Sequence, residues 1–312
     1  MARQTGSTAQ VAAAFETTYG TAPATGFKTM PFTAVNLGTD QPLLDSEVLG
    51  QGRDPLAPVK DVVTSDGDIT IPMDVESMGF WLKAAFGGPT TTGTTPKVHT
   101  FTSGADTLPS IAVEVQMPKI PSYEMFTGIG VNELSFSMGT SGLLTMTVRM
   151  IAQGSSRVGA TAAGTPTAYA FQRFGNFHGK IQRNGTDLGS IVSADVTYSN
   201  GLDAVRVIRA DGKIDGLDTG MASLRGRITA RFTDLTLFDQ AVAGTPCELI
   251  FAHEIGAQAK WALTAHAVYL PRPRSPITGP GGVEVTFDWQ AAKAASPARM
   301  ATAVLTNTVT TY

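Results

Sequence analysis

Chemistry needs side chains that ligate, donate or attack, so the histidines, the cysteine and the acidic clusters are weighed first. His99, His178, His253 and His266 lie far apart in the chain, and none stands at a metal-ligand spacing. His253-Glu254 begins like a zinc-protease motif, but no second histidine completes it. Each histidine therefore reads as a packing or strand-surface residue. Cys247 is the only cysteine, which excludes an intrachain disulfide and a multi-cysteine zinc site. In Pro246-Cys247-Glu248-Leu249-Ile250 it reads as a small buried hydrophobe. Asp66-Gly67-Asp68 and Asp211-Gly212-Lys213-Ile214-Asp215-Gly216-Leu217-Asp218 offer oxygen ligands for a hard cation. The second lacks the ligand order and closing glutamate of an EF-hand, and Asp-Gly pairs are ordinary turn chemistry. No Gly-x-Ser-x-Gly elbow or Walker loop occurs, and Gly139-Thr140-Ser141-Gly142 reads as a hairpin turn. Gly50-Gln51-Gly52 follows no strand-then-helix pattern, which argues against a dinucleotide site. Asn184-Gly185-Thr186 reads as a tight turn, and Trp81, Trp261 and Trp289 as core aromatics. The expectation is a protein that is not an enzyme and has no cofactor or metal.

The elements that would position any site are short and alternating. Ile111-Ala112-Val113-Glu114-Val115, Glu133-Leu134-Ser135-Phe136-Ser137-Met138 and Asp195-Val196-Thr197-Tyr198-Ser199 have the period of strands. Leu144-Thr145-Met146-Thr147-Val148-Arg149-Met150 and Val283-Glu284-Val285-Thr286-Phe287-Asp288-Trp289 are clearest, with every second residue apolar. One face of each packs on a core and the other meets water or a partner. Met78, Trp81, Leu82, Ala85 and Phe86 recur at helical spacing, with Asp74 as N-cap and Gly87-Gly88-Pro89 as the stop. A second helix starts at Thr233 or Asp234, runs through Leu237, Phe238, Ala241 and Val242, and stops at Gly244-Thr245-Pro246.

Both helices sit in matching contexts. Gly67-Asp68-Ile69-Thr70 precedes the first and Gly226-Arg227-Ile228-Thr229 the second. Each half then ends in a long alternating strand, with Thr147 and Thr286 in equivalent places and Ala152 and Ala291 following. The order of landmarks predicts a tandem duplication of an α+β unit. The competing reading is one large sandwich whose strands resemble each other only because amphipathic strands do. Residues 154–170 are small, polar and aperiodic and read as a linker. Residues 38–58 and 89–97 read as long loops. The C-terminal tail from Pro297, with Ala303-Val304-Leu305-Thr306-Asn307-Thr308-Val309-Thr310, reads as a β-prone arm without a partner in either repeat. Its removal is expected to leave a folded subunit that fails to assemble.

Composition fits self-association. Of 312 residues 42% are hydrophobic and only 16% are charged, against roughly 25% charged in an average soluble protein. A surface so poor in charge suits burial against copies of itself. The net charge of −3 argues against a dedicated nucleic-acid binder. Met1-Ala2-Arg3-Gln4-Thr5-Gly6 lacks a signal-peptide pattern, and no apolar run approaches a membrane span, so cytoplasmic synthesis without export is expected.

Glu16-Thr17-Thr18-Tyr19-Gly20-Thr21, the loop with Gly52-Arg53, the Gly67-Asp68-Ile69-Thr70 helix lead-in and the terminal Ala303-Val304-Leu305-Thr306-Asn307 together resemble the tail tube proteins of siphophages, phages with long non-contractile tails. The resemblance implies a mainly β, α+β fold: tandem β-sandwich tube domains, flanked by short helices, that give strands to an inner β-barrel in a ring. The first domain would span 1–153 with an N-terminal arm, and the second 171–312 with a C-terminal arm. Six tube domains of four strands each would close the barrel. Twenty-four strands about 4.8 Å apart and tilted about 45° give a backbone diameter of roughly 50 Å, wide enough for a DNA duplex. Two domains per chain imply a pseudo-hexameric trimer, with a hexamer as the alternative. Stacked rings would form the conduit for DNA ejection in the virion tail, assembled in the host cytoplasm and away from any membrane. Its partners would be the tape measure, tail terminator and distal tail proteins, with double-stranded DNA passing unbound.

Alternation then nominates Thr145, Thr147, Glu284, Thr286 and Asp288 as lumen-facing, with Arg149 an exception paired to an acid on an adjacent strand. Gly50, Gly52, Arg53, Leu305, Asn307 and Val309 are the candidates for contacts between rings. A carbohydrate- or receptor-binding β-sandwich of a virion or cell surface is the alternative function. It would put aromatics on the loops, which here are mostly Thr, Gly, Ala and Pro.

Overall fold

The computed structural model describes residues 3–274 and 281–312. Met1 and Ala2 of the N-terminal stretch read above lie outside it. The first half carries β1 (Gln10–Phe15), β2 (Lys28–Thr29), β3 (Ala34–Val35), β4 (Gly38–Asp40), β5 (Leu43–Leu44), β6 (Val59–Lys60), β7 (Thr64–Pro72), α1 (Met78–Phe86), β8 (Thr90–Thr92), β9 (Lys97–Thr102), β10 (Ile111–Met117), β11 (Ser122–Met138), β12 (Thr145–Ala152) and β13 (Gly154–Val158). The second half carries β14 (Thr167–Ala168), β15 (Gly179–Arg183), β16 (Thr186–Asp187), β17 (Ile191–Ser199), β18 (Asp203–Val205), β19 (Gly216–Asp218), β20 (Ser223–Arg231), α2 (Thr236–Ala243), β21 (Cys247–Gly256), β22 (Ala259–Tyr269), β23 (Glu284–Ala292) and β24 (Ala301–Asn307). The fold is mostly β with two short helices, as the alternation predicts.

Two layers enclose the core. One is a long antiparallel wall in the order β3/β4, β7, β12, the C-terminal half of β11, β17, β20 and β23. The other layer has two parts. In the first half β2, β1, β10, the N-terminal half of β11 and β13 pair in sequence. In the second half β15, β21, β22, β24, β9 and β8 do so. Strand alternation sets the facing: Met146, Val148 and Met150 of β12 and Val285, Phe287 and Trp289 of β23 are buried. Trp81, Trp261, Phe101, Phe126, Phe174 and Phe251 join them in a core that spans both halves.

Both helices form and stop where the pattern places them, but α2 starts at Thr236, just after the expected Thr233 or Asp234, with Asp234 Oδ1 accepting from Thr236 N at 2.8 Å. α1 was expected to be amphipathic, yet every residue but Lys83 is buried, because it lies between the layers. Asp74 caps the turn that leads into it, its Oδ2 accepting from the N–H groups of Glu76 (3.0 Å) and Ser77 (2.9 Å). Gly87 ends the helix at φ +91°, a conformation that costs glycine little.

Three segments depart from the expectation. Glu114 does not face water on an alternating strand: its buried carboxylate accepts from Thr161 Oγ1 (2.6 Å), Ala162 N (2.7 Å) and Gln116 Nε2 (2.6 Å). It thereby pins the segment read as a linker. The first residues of that segment form β13, paired to β11, where small polar residues hid the strand. The third departure is a correction. The C-terminal tail has partners: β24 pairs with β22 on one side and β9 on the other, with Leu305 and Asn307 fully buried. Asn307 Nδ2 donates to Val75 O (2.7 Å), Asn307 Oδ1 accepts from Val309 N (3.0 Å), and the Tyr312 ring lies over Gly79 of α1.

Deleting 301–312 should therefore abolish folding. The change removes a central strand with Ala301, Ala303 and Leu305 in the core. Large buried side chains contribute about 1.5–3 kcal/mol each, against a total stability of about 5–15 kcal/mol. A cooperative thermal melt in the truncated protein would disprove this.

Candidate functional site: a polar wall and two equivalent arms

The long wall gathers the candidates of both halves onto one face. Directly opposed residues of a sheet share a face, so Thr70, Thr147, Ser135, Thr197, Arg225 and Gln290 form one transverse row. Thr145 and Thr147 stand half-buried on that face. Glu284, Thr286 and Asp288 stand exposed on it. The opposite face is the core.

Charge on this polar face is biased. Asp40, Asp66, Asp68, Glu133, Asp195, Glu284 and Asp288 lie on it, against Arg149, Arg225, Arg227 and Arg231. Arg149 stands between Asp68 and Glu133 in register, so acids lie on both adjacent strands, but its guanidinium makes no ion pair with either among the described residues. Arg227 stands between Asp195 and Asp288 and donates through Nε to Asp288 Oδ1 at 2.9 Å. That bond holds the guanidinium above its usual pKa. Arg231 Nε approaches Glu284 Oε1 at 3.8 Å. Arg225 alone of the four faces uncharged neighbours in register, Thr197 and Gln290.

The wall also explains the paired Gly-x-Ile-Thr motifs. A Cβ on Gly67 would overlap the carbonyl oxygen of Asn36, and a Cβ on Gly226 that of Asp195. Each glycine lets the next strand's backbone come close. Beside Gly226 the Trp289 ring fills the space a side chain would take.

Alignment of the two glycines places residues 34–72 on 193–231 without a gap. Val35 faces Ile69 as Ala194 faces Ile228, and Gly38 faces Asp66 as Thr197 faces Arg225. Between the aligned strands each half extends a hairpin arm of equal length, 41–63 and 200–222. The hairpins share a register, since Leu44 opposite Val59 corresponds to Asp203 opposite Asp218. This correspondence was missed in the sequence because the arms share few residues; equal spacing between the glycine motif and the preceding strand was the available signal.

The two arms differ in environment. The second lies on the first half of the chain: Leu202 and Leu217 cover Gly130, the Lys213 side chain covers Gly154, and Leu202 N donates to Asn132 Oδ1 at 2.8 Å. Its tip meets the root of the first arm, where Val63 N donates to Gly212 O at 3.1 Å. The first arm is almost wholly exposed, including Gly50, Gly52 and Arg53. Leu43, Leu44, Val48, Leu49 and Val59 are exposed on it. Leu305 and Asn307 are corrected here as contact candidates, since burial within their own chain removes them from any neighbour's reach. Val309 is half-buried, and its carbonyl accepts from His99 at 2.9 Å.

Among the described residues no three His, Cys, Asp or Glu side chains cluster to hold a metal ion. In the acidic stretch Arg209 donates to Asp211 (2.9 Å) and Asp215 (2.8 Å), and holds Asp211 down at about 2. His253 is buried beside Phe174 and Trp261 and has no hydrogen-bond partner among the described residues. Burial pushes its pKa from 6.5 down to about 4. The folded state thus resists a proton that the unfolded chain accepts below about 6.5. Its contribution is intact above that pH and declines as pH falls toward 4, by about 3 kcal/mol in all. Replacing His253→Gln should flatten this part of the stability profile between pH 7 and 4, read by urea unfolding. An unchanged profile would refute the assignment.

Among the described residues no helix is long and apolar enough to cross a membrane. No curated protein matches the chain. Residues 6–291 match the family model described as phage tail tube protein. With a β-rich fold, a polar wall and that match over nearly its whole length, the chain belongs to the phage tail tube protein family, structural proteins of the virion tail.

Proposed function

We propose that the chain is a tandem of two tube units, that three copies close a pseudo-hexameric ring, and that stacked rings form the conduit for DNA ejection. One observation carries this reading. The two halves already join edge to edge, with Glu133 to Met138 of β11 paired in register with Ser199 to Ala194 of β17. A ring would carry the wall on from one chain to the next, between the outer edge at β3/β4 and the part of the β23 side that β22 leaves unpaired. Closure removes edges that would otherwise template unwanted pairing.

The polar wall becomes the lumen, with Thr145, Thr147, Glu284, Thr286 and Asp288 facing the DNA. Net negative charge and arginines balanced by opposed acids disfavour phosphate binding, which would slow transit. Tube ends would meet the tape measure, tail terminator and distal tail proteins, and assembly would take place in the host cytoplasm. Native mass spectrometry of isolated rings should give three chains, and six would overturn the stoichiometry.

The arm tips are the elements that join rings. Leu49 is 92% exposed, and its counterpart Ile208 is fully exposed although its arm is docked. Gly50 and Gly52 adjoin Leu49, each with positive φ that shapes the tip. Replacing Leu49→Asp together with Ile208→Asp should leave rings of normal size in negative stain and suppress tubes at least tenfold. Tubes of undiminished number and length would refute a stacking role for the tips.

A further inference from the structure

The docked arm shows where the free one goes. The second arm lies on the unit that precedes it in the chain and touches the root of that unit's arm. In a ring of alternating units, each first arm has before it the second unit of another chain. We infer that arm 41–63 seats on the second unit of a neighbouring copy within the same ring, with Arg53 beside the neighbour's Met221 and Ala222.

The alignment supplies the residues. Arg53 corresponds to Gly212, and Met221 and Ala222 to Val62 and Val63, so the bond from Val63 N to Gly212 O becomes one from Ala222 N to Arg53 O across chains. Leu43 and Pro58 correspond to Leu202 and Leu217, the two side chains that cover Gly130. In the second unit Tyr269 takes the place of Gly130, as it faces Gln290 in β23 where Gly130 faces Ile151 in β12. Both sides of the inferred contact are apolar and uncovered in the single chain. Met221 is 93% exposed and Tyr269 is exposed, while Leu43 and Val59 are exposed on the arm. An apolar side chain left bare at the site where its counterpart is approached by an arm is the mark of a missing partner. The occupant is a second copy of the chain, because the chain's own first arm has the length and register of the arm already docked.

This inference rests on the ring reading, and one experiment separates the two. Arg53→Cys and Met221→Cys are combined; both positions are exposed, and the native Cys247 is buried. Assembled material is oxidised and run without reductant, with each single variant as control. The expected result is covalent dimers and trimers in the double variant only, with nothing larger than three chains. A ladder that continues far beyond one ring would mean that the arm reaches another ring, and would overturn the lateral seat. Tubes of normal appearance without cross-links would also overturn it while leaving the tube reading intact. Failure to form rings or tubes by the unaltered chain would overturn that reading itself. A second variant guards against a cysteine effect: Met221→Glu should lower the yield of rings at least tenfold with an unchanged circular dichroism spectrum. Unchanged ring yield would count against the seat.

Discussion

The pairing of β11 with β17 is the contact on which the rest of the molecule depends. It joins the two halves into one wall, so that their polar faces become a single surface. β11 can do this because it is long. Its N-terminal half pairs with β10 and β13 in the outer layer, and its C-terminal half turns into the wall between β12 and β17. A bulge between Val131 and Glu133 marks the passage from one layer to the other. Asn132 and Asn200 flank that passage: Asn200 Nδ2 donates to Val131 O and Ala85 O (both 2.9 Å), tying wall, outer layer and α1 together.

Much of this was legible in the sequence, for a physical reason. Alternation reports which residues of a strand face the core whatever the strand pairs with, so β12 and β23 and their polar residues could be read directly. Helix stops were legible because only glycine enters the required turn cheaply. The glycine motif was visible as a repeat, although its cause was not. Gly67 and Gly226 answer to a carbonyl oxygen on another strand, and nothing near them in sequence announces that oxygen.

What stayed hidden were facts about distant partners. β24 has a β-prone sequence, but its neighbours β9 and β22 are set by how the first half reaches over the second. Glu114 looked like the polar member of an alternating strand, and its donors come from a segment with no pattern at all. The first arm was read as a loop because a hairpin with few paired residues leaves weak periodicity. Non-local pairing also makes the two halves depend on each other: β9 of the first half completes the outer layer of the second, so neither half has all its strand partners alone.

That dependence fits the electrostatics of the wall. In the proposed tube, a conduit for a polyanion would need a surface without exposed single cations, yet a wall of carboxylates alone would repel itself as the ring closed. There, arginines set in register between acids on adjacent strands would answer both demands, as where Arg227 and Asp288 present a short dipole in place of a net charge. Such dipoles fade well within the screening distance of about 8 Å at physiological salt. In register, Arg149 neighbours Asp68 and Glu133 in the first half, and Arg227 neighbours Asp195 and Asp288 in the second. Asp195 belongs to β17, the strand that joins the halves, so the charge balance of the second set and the continuity of the wall rest on the same strand. Arg225, between Thr197 and Gln290, lacks that protection. In the proposed tube it is the position where a passing phosphate would meet the least opposition.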